Sequence, residues 1–328
     1  MYPCVPNIST QQRPKIYIFY WLLKHYEDLH RMPADTDVLS ELDLGEPPQE
    51  LLEWAKENIN EDLETRDELL EELRNLIYER GECIPHRTDD AFLLRFLRAR
   101  MFNVRKAHRL LVNYYEFKEN NPEFYDGVNL RNLLRIGDKD IITVPPYREQ
   151  TGRRILLYRM GKWDPEQFTI DELFQATMIV LELAILEQRA QILGGVAMFD
   201  LGGLTLQQAW YMTPSIAHKI VQIMVTSFPM KIHAIHIVNQ SWIFDAVYNI
   251  FKPFLDSKMK EKIFFHGENM ESLHQHIDSK HLPERYGGVH PDYCYSDWIK
   301  FFESSEKIKY ELSSLGYKDD GEGDGNKK

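Results

Sequence analysis

Four short apolar runs set the strongest limit on what this chain can fold into. Residues 154–159, 196–200, 234–238 and 263–265 are short and rich in Ile, Val, Leu and Phe. The segments between them carry helical spacing. Residues 170–189 place Phe174, Thr177, Met178, Leu181 and Ile185 on one face. A second helical stretch runs from beyond Gly202 and Gly203 to about Ser227, with a break near Pro214, and a short one lies around 270–277. Short apolar strands alternating with helices imply βαβ units, a mainly parallel sheet and right-handed crossovers, an α/β fold.

The chain before these runs reads as helical. Pro47 and Pro48 open a helix with Leu51, Leu52, Ala55, Ile59 and Leu63 at helical spacing, followed by one with Leu69, Leu70, Leu73, Ile77 and Tyr78 apolar. Thr88, Asp89 and Asp90 start a third, in which Arg95, Arg98 and Arg100 sit among aliphatic residues. Arg95 and Arg98 are neighbours on the helix and Arg100 lies on another face. Such arginines pair with acids or snorkel, unless one of them meets an anionic headgroup. Residues 104–119 form a fourth helix, ended near Asn121 and Pro122. The expected division is an appended, weakly ordered segment 1–45, a helical module 46–122, an α/β domain 128–302 and a partly disordered tail 303–328.

The stretch 239–255 has more apolar surface than one-sided packing needs. It reads as a helix capped by Asn239 or Ser241 and stopped near Pro253. Phe244, Val247, Tyr248, Phe251 and Leu255 share one face, and Ile243, Ile250 and Phe254 widen it to roughly 160°, where a surface helix typically shows about 100°. Only Asp245, Asn249 and Lys252 are polar. Two readings fit: a helix buried between two layers, or a lid with one side on an apolar ligand and the other toward a membrane.

Charge and motifs narrow the function. The formal net charge is −12, but residues 41–73 hold thirteen acids against two bases and the tail is acidic, which leaves the body near neutral with room for local basic patches. Basic residues are not massed on one element and no nucleic-acid motif occurs, so nucleic acid is not an expected partner. Cys4, Cys83 and Cys294 are too few and too scattered for a disulfide framework or a metal motif, which fits a reducing, cytosolic setting. The apolar run 16–23 is too short to span a bilayer, which takes about 20 residues. There is no GxSxG, GxGxxG or GxxxxGK[ST] turn, so hydrolase, dinucleotide and P-loop chemistry have no support. His266, His274, His276 and His281 lack metal-ligand spacing, and Asp200 at a strand end reads as a turn residue. No enzyme, cofactor or metal is expected; a binder of something hydrophobic is.

Several stretches carry a family resemblance. Residues 88–100, 163–165, 226–231, 235–239, 251–255, 266–269 and 282–288 resemble, in order and spacing, the CRAL-TRIO family, and within it the tocopherol-transfer and retinaldehyde-binding group. The likeness covers roughly residues 50–302. It implies a helical N-terminal module on a CRAL-TRIO α/β domain, with a hydrophobic cavity between the sheet and a mobile gate helix. Carried over by position, it lines the cavity with Phe174, Thr177, Leu181, Phe199, Ile220, Ile223, Met224, Ile232 and Ile235. The gate supplies Phe244, Val247, Tyr248, Phe251 and Leu255, leaving Ile243, Ile250 and Phe254 to meet a membrane. A phosphoinositide-contacting cluster maps onto Arg100, Lys231, His233, Lys258 and Lys262. His233 and Lys262 stand where the tocopherol carriers have arginine, and neither offers the guanidinium fork. Leu181 replaces a serine, while Thr177 keeps a hydroxyl.

The resemblance therefore implies a soluble, monomeric, cytoplasmic carrier. It would hold a tocopherol- or retinoid-like lipid and exchange it at phosphoinositide-containing, endosomal membranes through the gate. The alternative is a lipid-regulated protein-interaction module without bulk transfer, with residues 1–45 and the acidic helices as its partner surface.

Overall fold

The computed structural model describes residues 42–125, 130–293 and 296–317, without the side chains of 130–133, 296, 297 and 299. The appended segment up to residue 41 and the tail from residue 318 lie outside the described residues.

The N-terminal module is built from α1 (Gln49–Ile59), α2 (Arg66–Arg80), α3 (Asp90–Ala99) and α4 (Val104–Asn120). Asp89 caps α3 by accepting the Phe92 N–H, as its sequence position predicts. Leu70, Leu73 and Ile77 of α2 are buried, whereas Tyr78, assigned to the same apolar face, is 68% exposed. The α3 arginines pair as expected of buried arginines. Arg98, fully buried, makes a two-pronged bond to Glu61 (2.6 and 2.8 Å) and also donates to Gln188 and Gln191. Arg95 donates to Glu311 at 3.0 Å. Arg98 thereby ties the helical module to the domain that follows.

That domain starts with α5 (Leu130–Asp138) and a five-stranded sheet in the order β1 (Ile142–Thr143), β2 (Ile155–Arg159), β3 (Gly195–Asp200), β4 (Ile232–Val238) and β5 (Ile263–Gly267). β1 is antiparallel to β2, and all later neighbours are parallel. Between strands lie α6 (Ile170–Ala184) and α7 (Gln188–Leu193), α8 (Leu206–Trp210) and α9 (Pro214–Val221), and α10 (Ile243–Phe251) and α11 (Ser257–Lys260). With strands added always on the same side, right-handed crossovers bring these helices to one face of the sheet. The strands alternate accordingly. Leu156, Tyr158, Ala197, Phe199, Ile235 and Ile237 point to the helix face. Ile155, Leu157, Val196, Met198 and Val238 point to the other face, where they meet Leu273, Ile277, Leu282 and Tyr286.

Three local readings change. The helix expected over 170–189 breaks at residues 185–187, where buried Glu187 turns to hold Arg154 (2.6 Å), Arg148 (3.4 Å) and the Asp43 N–H (2.9 Å). β1 has only two residues and no periodic pattern to reveal it. Beyond α12 (Met270–His274) and α13 (Ser296–Ser304), the stretch grouped with the tail contains α14 (Glu306–Ser314). Its Ile308 and Leu312 are buried, and its Glu311 bonds Arg87 and Arg95.

Candidate ligand cavity and cation cluster

A cavity of about 270 Å³ lies between the sheet and the helices on its crossover face. Its floor is Leu156 and Tyr158 of β2, Ala197 and Phe199 of β3, Ile232, Ile235 and Ile237 of β4 and Ile263 of β5. One wall is α6, which contributes Phe174, Thr177 and Leu181; Phe124 stacks behind Phe174 at 4.4 Å. A Thr169–Glu172 capping box fixes the start of that helix.

The second wall is α9 with the π-helical turn Gln222–Ser227, which supplies Ile220, Ile223 and Met224. A π turn leaves carbonyls without their usual partners. The N-terminal module takes two of them: Arg100 Nη2 donates to the Val225 carbonyl (2.9 Å) and Asn113 Nδ2 to that of Thr226 (3.1 Å).

The roof is α10 and the turn after it. Phe244, Val247, Tyr248, Phe251 and Leu255 all face the cavity. Phe265 of β5 braces Phe244 (5.7 Å) and Tyr248 (5.1 Å) ring to ring. Neither Asn239 nor Ser241 caps this helix: the N-cap position is Trp242, with no side-chain cap bond. Asn239 instead adopts φ 55° and gives its amide to Asp200 Oδ1 at 2.9 Å. Asp200 also accepts the Gly202 N–H at 3.0 Å, the turn role its sequence position suggested. At the far end Pro253 sits in a 3-10 turn, Lys252–Phe254, as a helix stop should.

All fourteen residues expected to line the cavity do so. Lining residues that were not expected at the cavity include Tyr158, Met160, Trp163, Gln208 and Phe228. Several polar groups among the lining are engaged within the protein. Tyr158 donates to Thr177 Oγ1 at 3.1 Å, Gln208 donates to the Met160 carbonyl at 3.1 Å, and Trp163 Nε1 donates to Phe168 O at 2.8 Å. The interior therefore suits an apolar occupant, with Thr177 keeping one hydroxyl hydrogen to offer.

The outer surface of the roof is mixed, with Asp245, Asn249 and Lys252 exposed beside an apolar edge. Ile243, Ile250 and Phe254 are half-buried, and Phe254 rests against His218 of α9, ring centroids 5.2 Å apart. Beside them Trp242 is 72% exposed, and Trp210 of α8, a helix packed against α10, is 81% exposed.

Three of the five expected phosphate-contacting residues come together. Lys231 is pushed down to about 8 by burial and by the charges of Lys262, Arg153 and Arg100. Burial also disfavours the charged form of Lys262, which Asp256 partly restores; its Nζ donates to Ile232 O at 2.6 Å. Arg153 had no local sequence signal, because it precedes β2 and joins the cluster only through the fold. His233 and Lys258 are exposed and are not among the groups that depress Lys231.

Among the described residues no helix is long and apolar enough to cross a membrane. Comparison with known proteins gives the family. The CRAL/TRIO domain profile matches residues 138–288, and the CRAL/TRIO N-terminal domain profile matches residues 49–113. Clavesin-1 of Pongo abelii is 33% identical over 284 residues, covering 85% of this chain and 79% of its own length. Clavesin-2 of Homo sapiens is 34% identical over 268 residues, 80% of each. The alpha-tocopherol transfer protein-like protein of Mus musculus is 33% identical over 291 residues, 85% of each. Among solved structures, the crystal structure of Sfh5 matches 78% of this chain and 97% of its own at 14% identity, with a TM-score of 0.46. With both domain profiles matched in order around one apolar cavity, the chain belongs to the CRAL-TRIO family of lipid-binding proteins.

Proposed function

We propose that this protein is a carrier that holds one hydrophobic lipid in the cavity under α10 and exchanges it at a membrane when α10 moves aside. The observation that carries the reading is the roof: a nine-residue helix with a wholly apolar inner face, and with Ile243 and Ile250 still half-exposed beyond it, is the cover of an apolar cavity. Each buried CH₂ contributes about 0.8 kcal/mol, so ten of them hold a lipid by roughly 8 kcal/mol before costs. Release into water is then slow, and release into a bilayer touching the open roof is not.

The name of the mouse relative favours a tocopherol-like ligand, an apolar body with an oxygen to offer Thr177, and a retinoid-like lipid meets the same chemistry. Ile243 and Ile250, flanked by Trp210 and Trp242, form the side that meets the bilayer, and aromatic residues of this kind favour the membrane interface. Arg100, Lys231 and Lys262, with Arg153 behind them, take an anionic phosphoinositide headgroup; His233 and Lys258 stand at the exposed edge. We place this exchange on cytoplasmic faces of intracellular membranes, endosomes included. Transfer of a fluorescent tocopherol analogue between vesicles tests the carrier: transfer that depends on the protein and speeds with acceptor vesicle concentration supports it. No protein-dependent transfer, with binding intact, would favour the interaction-module alternative.

A further inference from the structure

The sheet face opposite the cavity holds a cluster that the carrier reading leaves without a task. His236 of β4 and His266 of β5 are buried, with His236 Nδ1 3.0 Å from His266 Nε2. His266 Nδ1 lies 2.9 Å from Ser272 Oγ. The His276 ring is 5.4 Å from His236 and 5.6 Å from His266, and Phe264 packs on His236 and His276. One ring nitrogen donates across the His236–His266 contact and the other accepts, so the pair is satisfied by one proton. A second proton sets two N–H groups and two cations against each other at that distance.

Among the described residues no acid is placed to compensate such a charge. The groups that act on His236 are His276, His266 and His233, and on His266 it is His276, all cations when charged. β2 and β3 bring Ile155, Leu157, Val196 and Met198 to this face. From α12 and the turns after it come exposed Glu271, His274 bonded to Tyr286 O (2.8 Å), and Asp278 paired with Lys280 (3.2 Å). The Tyr286 hydroxyl is given to Asp200.

The cluster sits at the root of the roof helix. β4 and β5 pair in step as far as Ile237 and Phe265; then Val238 faces Gly267, which leaves His266 as the extra residue of a bulge. Gly267 O accepts the Asn239 N–H at 2.6 Å, and Gly267 N–H donates to Gln240 Oε1 at 2.9 Å. Asn239 and Gln240 lead from β4 into α10. Gly267 (φ 59°) adopts left-handed backbone freely, whereas Asn239 (φ 55°) holds it as a non-glycine residue does where its surroundings enforce it.

We propose that His236, His266 and His276 form a proton-sensitive latch at the root of α10: added protons part β5 from β4 at Gly267, free Asn239 and Gln240, and let α10 swing off the cavity. The latch rests on the carrier reading only for what it releases. Burial and mutual repulsion push His236 down to about 3 and His266 to about 4, and burial lowers His276. The closed latch is thus neutral, while in an opened latch the rings return toward about 6.5. Opening takes up protons. It becomes easier as pH falls below about 6.5, by up to about tenfold per pH unit for each histidine that titrates, until the closed-state values are reached.

The test loads the full chain with N-phenyl-1-naphthylamine, a neutral hydrophobic dye. Its dissociation rate is followed from about pH 7.5 to about pH 5, beside hydrogen exchange at the bonded amides of Asn239 and Gly267 corrected for intrinsic pH dependence. The latch predicts release at least about tenfold faster at about pH 5.5, matching loss of protection at those amides, and unchanged helical circular dichroism. In His236→Gln with His266→Gln, whose amides do not titrate, the acid response vanishes. Should that double variant not fold, His276→Gln decides: a shallower pH dependence supports the latch, an unchanged one overturns it. A flat wild-type profile, an acid response kept in the double variant, or release that tracks global loss of helix each overturns it. If the dye never binds, it is the carrier reading that fails, and exchange at these two amides still decides the latch.

Discussion

Replacing Phe251 by aspartate places a carboxylate on the inner face of the roof, where the lining around it is Tyr248, Leu255 and the apolar floor. Phe251 is half-buried, so its loss removes part of the roughly 1.5–3 kcal/mol that full burial of such a side chain contributes, about 1–1.5 kcal/mol. The carboxylate adds a desolvation cost of at least about 2 kcal/mol while the roof is shut, which the molecule escapes by opening. Together these favour the open state by about 3 kcal/mol, close to a hundredfold rise in its population. The same contacts are lost to a bound lipid. Phe251→Asp should therefore speed dissociation of a fluorescent hydrophobic ligand by about 10–100-fold and reduce loading, with the melting temperature little changed. If loading and exchange match the unaltered chain, α10 is not the gate. Phe251→Leu, which keeps the apolar surface, should stay within about threefold and separate charge from shape.

Other residues give independent tests. Glu61→Ala leaves the fully buried Arg98 guanidinium without its carboxylate and should destabilise the fold by about 3–5 kcal/mol in urea unfolding; a loss under about 1 kcal/mol would contradict a stabilising Arg98–Glu61 pair within the helical module. Ala197→Phe puts a ring on the cavity floor and should cut ligand loading by at least about tenfold at unchanged helical content. Lys231, held near 8 by burial and its cationic neighbours, regains its proton when a phosphate approaches, so binding to phosphoinositide vesicles takes up protons and should weaken as pH rises from about 7 to about 9. Lys231→Met should abolish that pH dependence; an unchanged profile would place the headgroup elsewhere. Charge reversal at Lys231 and Lys262 should slow transfer to phosphoinositide vesicles and spare transfer to neutral ones, each cation near an anionic surface contributing about 1 kcal/mol.

Much of the site was legible because it is periodic. A spacing of 3.6 residues put Phe244, Val247, Tyr248 and Phe251 on one side of a helix, and that side became the cavity roof. The strands were legible as apolar runs, and the helices between them fixed parallel pairing. The features that escaped are those made by partners distant in sequence. The break after α6 exists because Glu187 reaches Arg154 and Arg148. Asn239 reads as a helix cap, yet Asp200 draws it into the turn before α10. Arg153 enters the cation cluster through the tertiary fold. His236, His266 and His276 are far apart in sequence; strand register and a bulge bring the first two rings together, and the turn after α12 adds the third.

The most direct measurement is native mass spectrometry of the purified full chain, with organic extraction of the same sample. A carrier predicts a mass excess of one small hydrophobic molecule per chain, recovered in the extract, exchanged when the protein is incubated with lipid vesicles, and diminished in Ala197→Phe. A chain that remains at its bare mass after incubation with vesicles bearing tocopherol, retinoid, sterol and phosphoinositide would contradict the account.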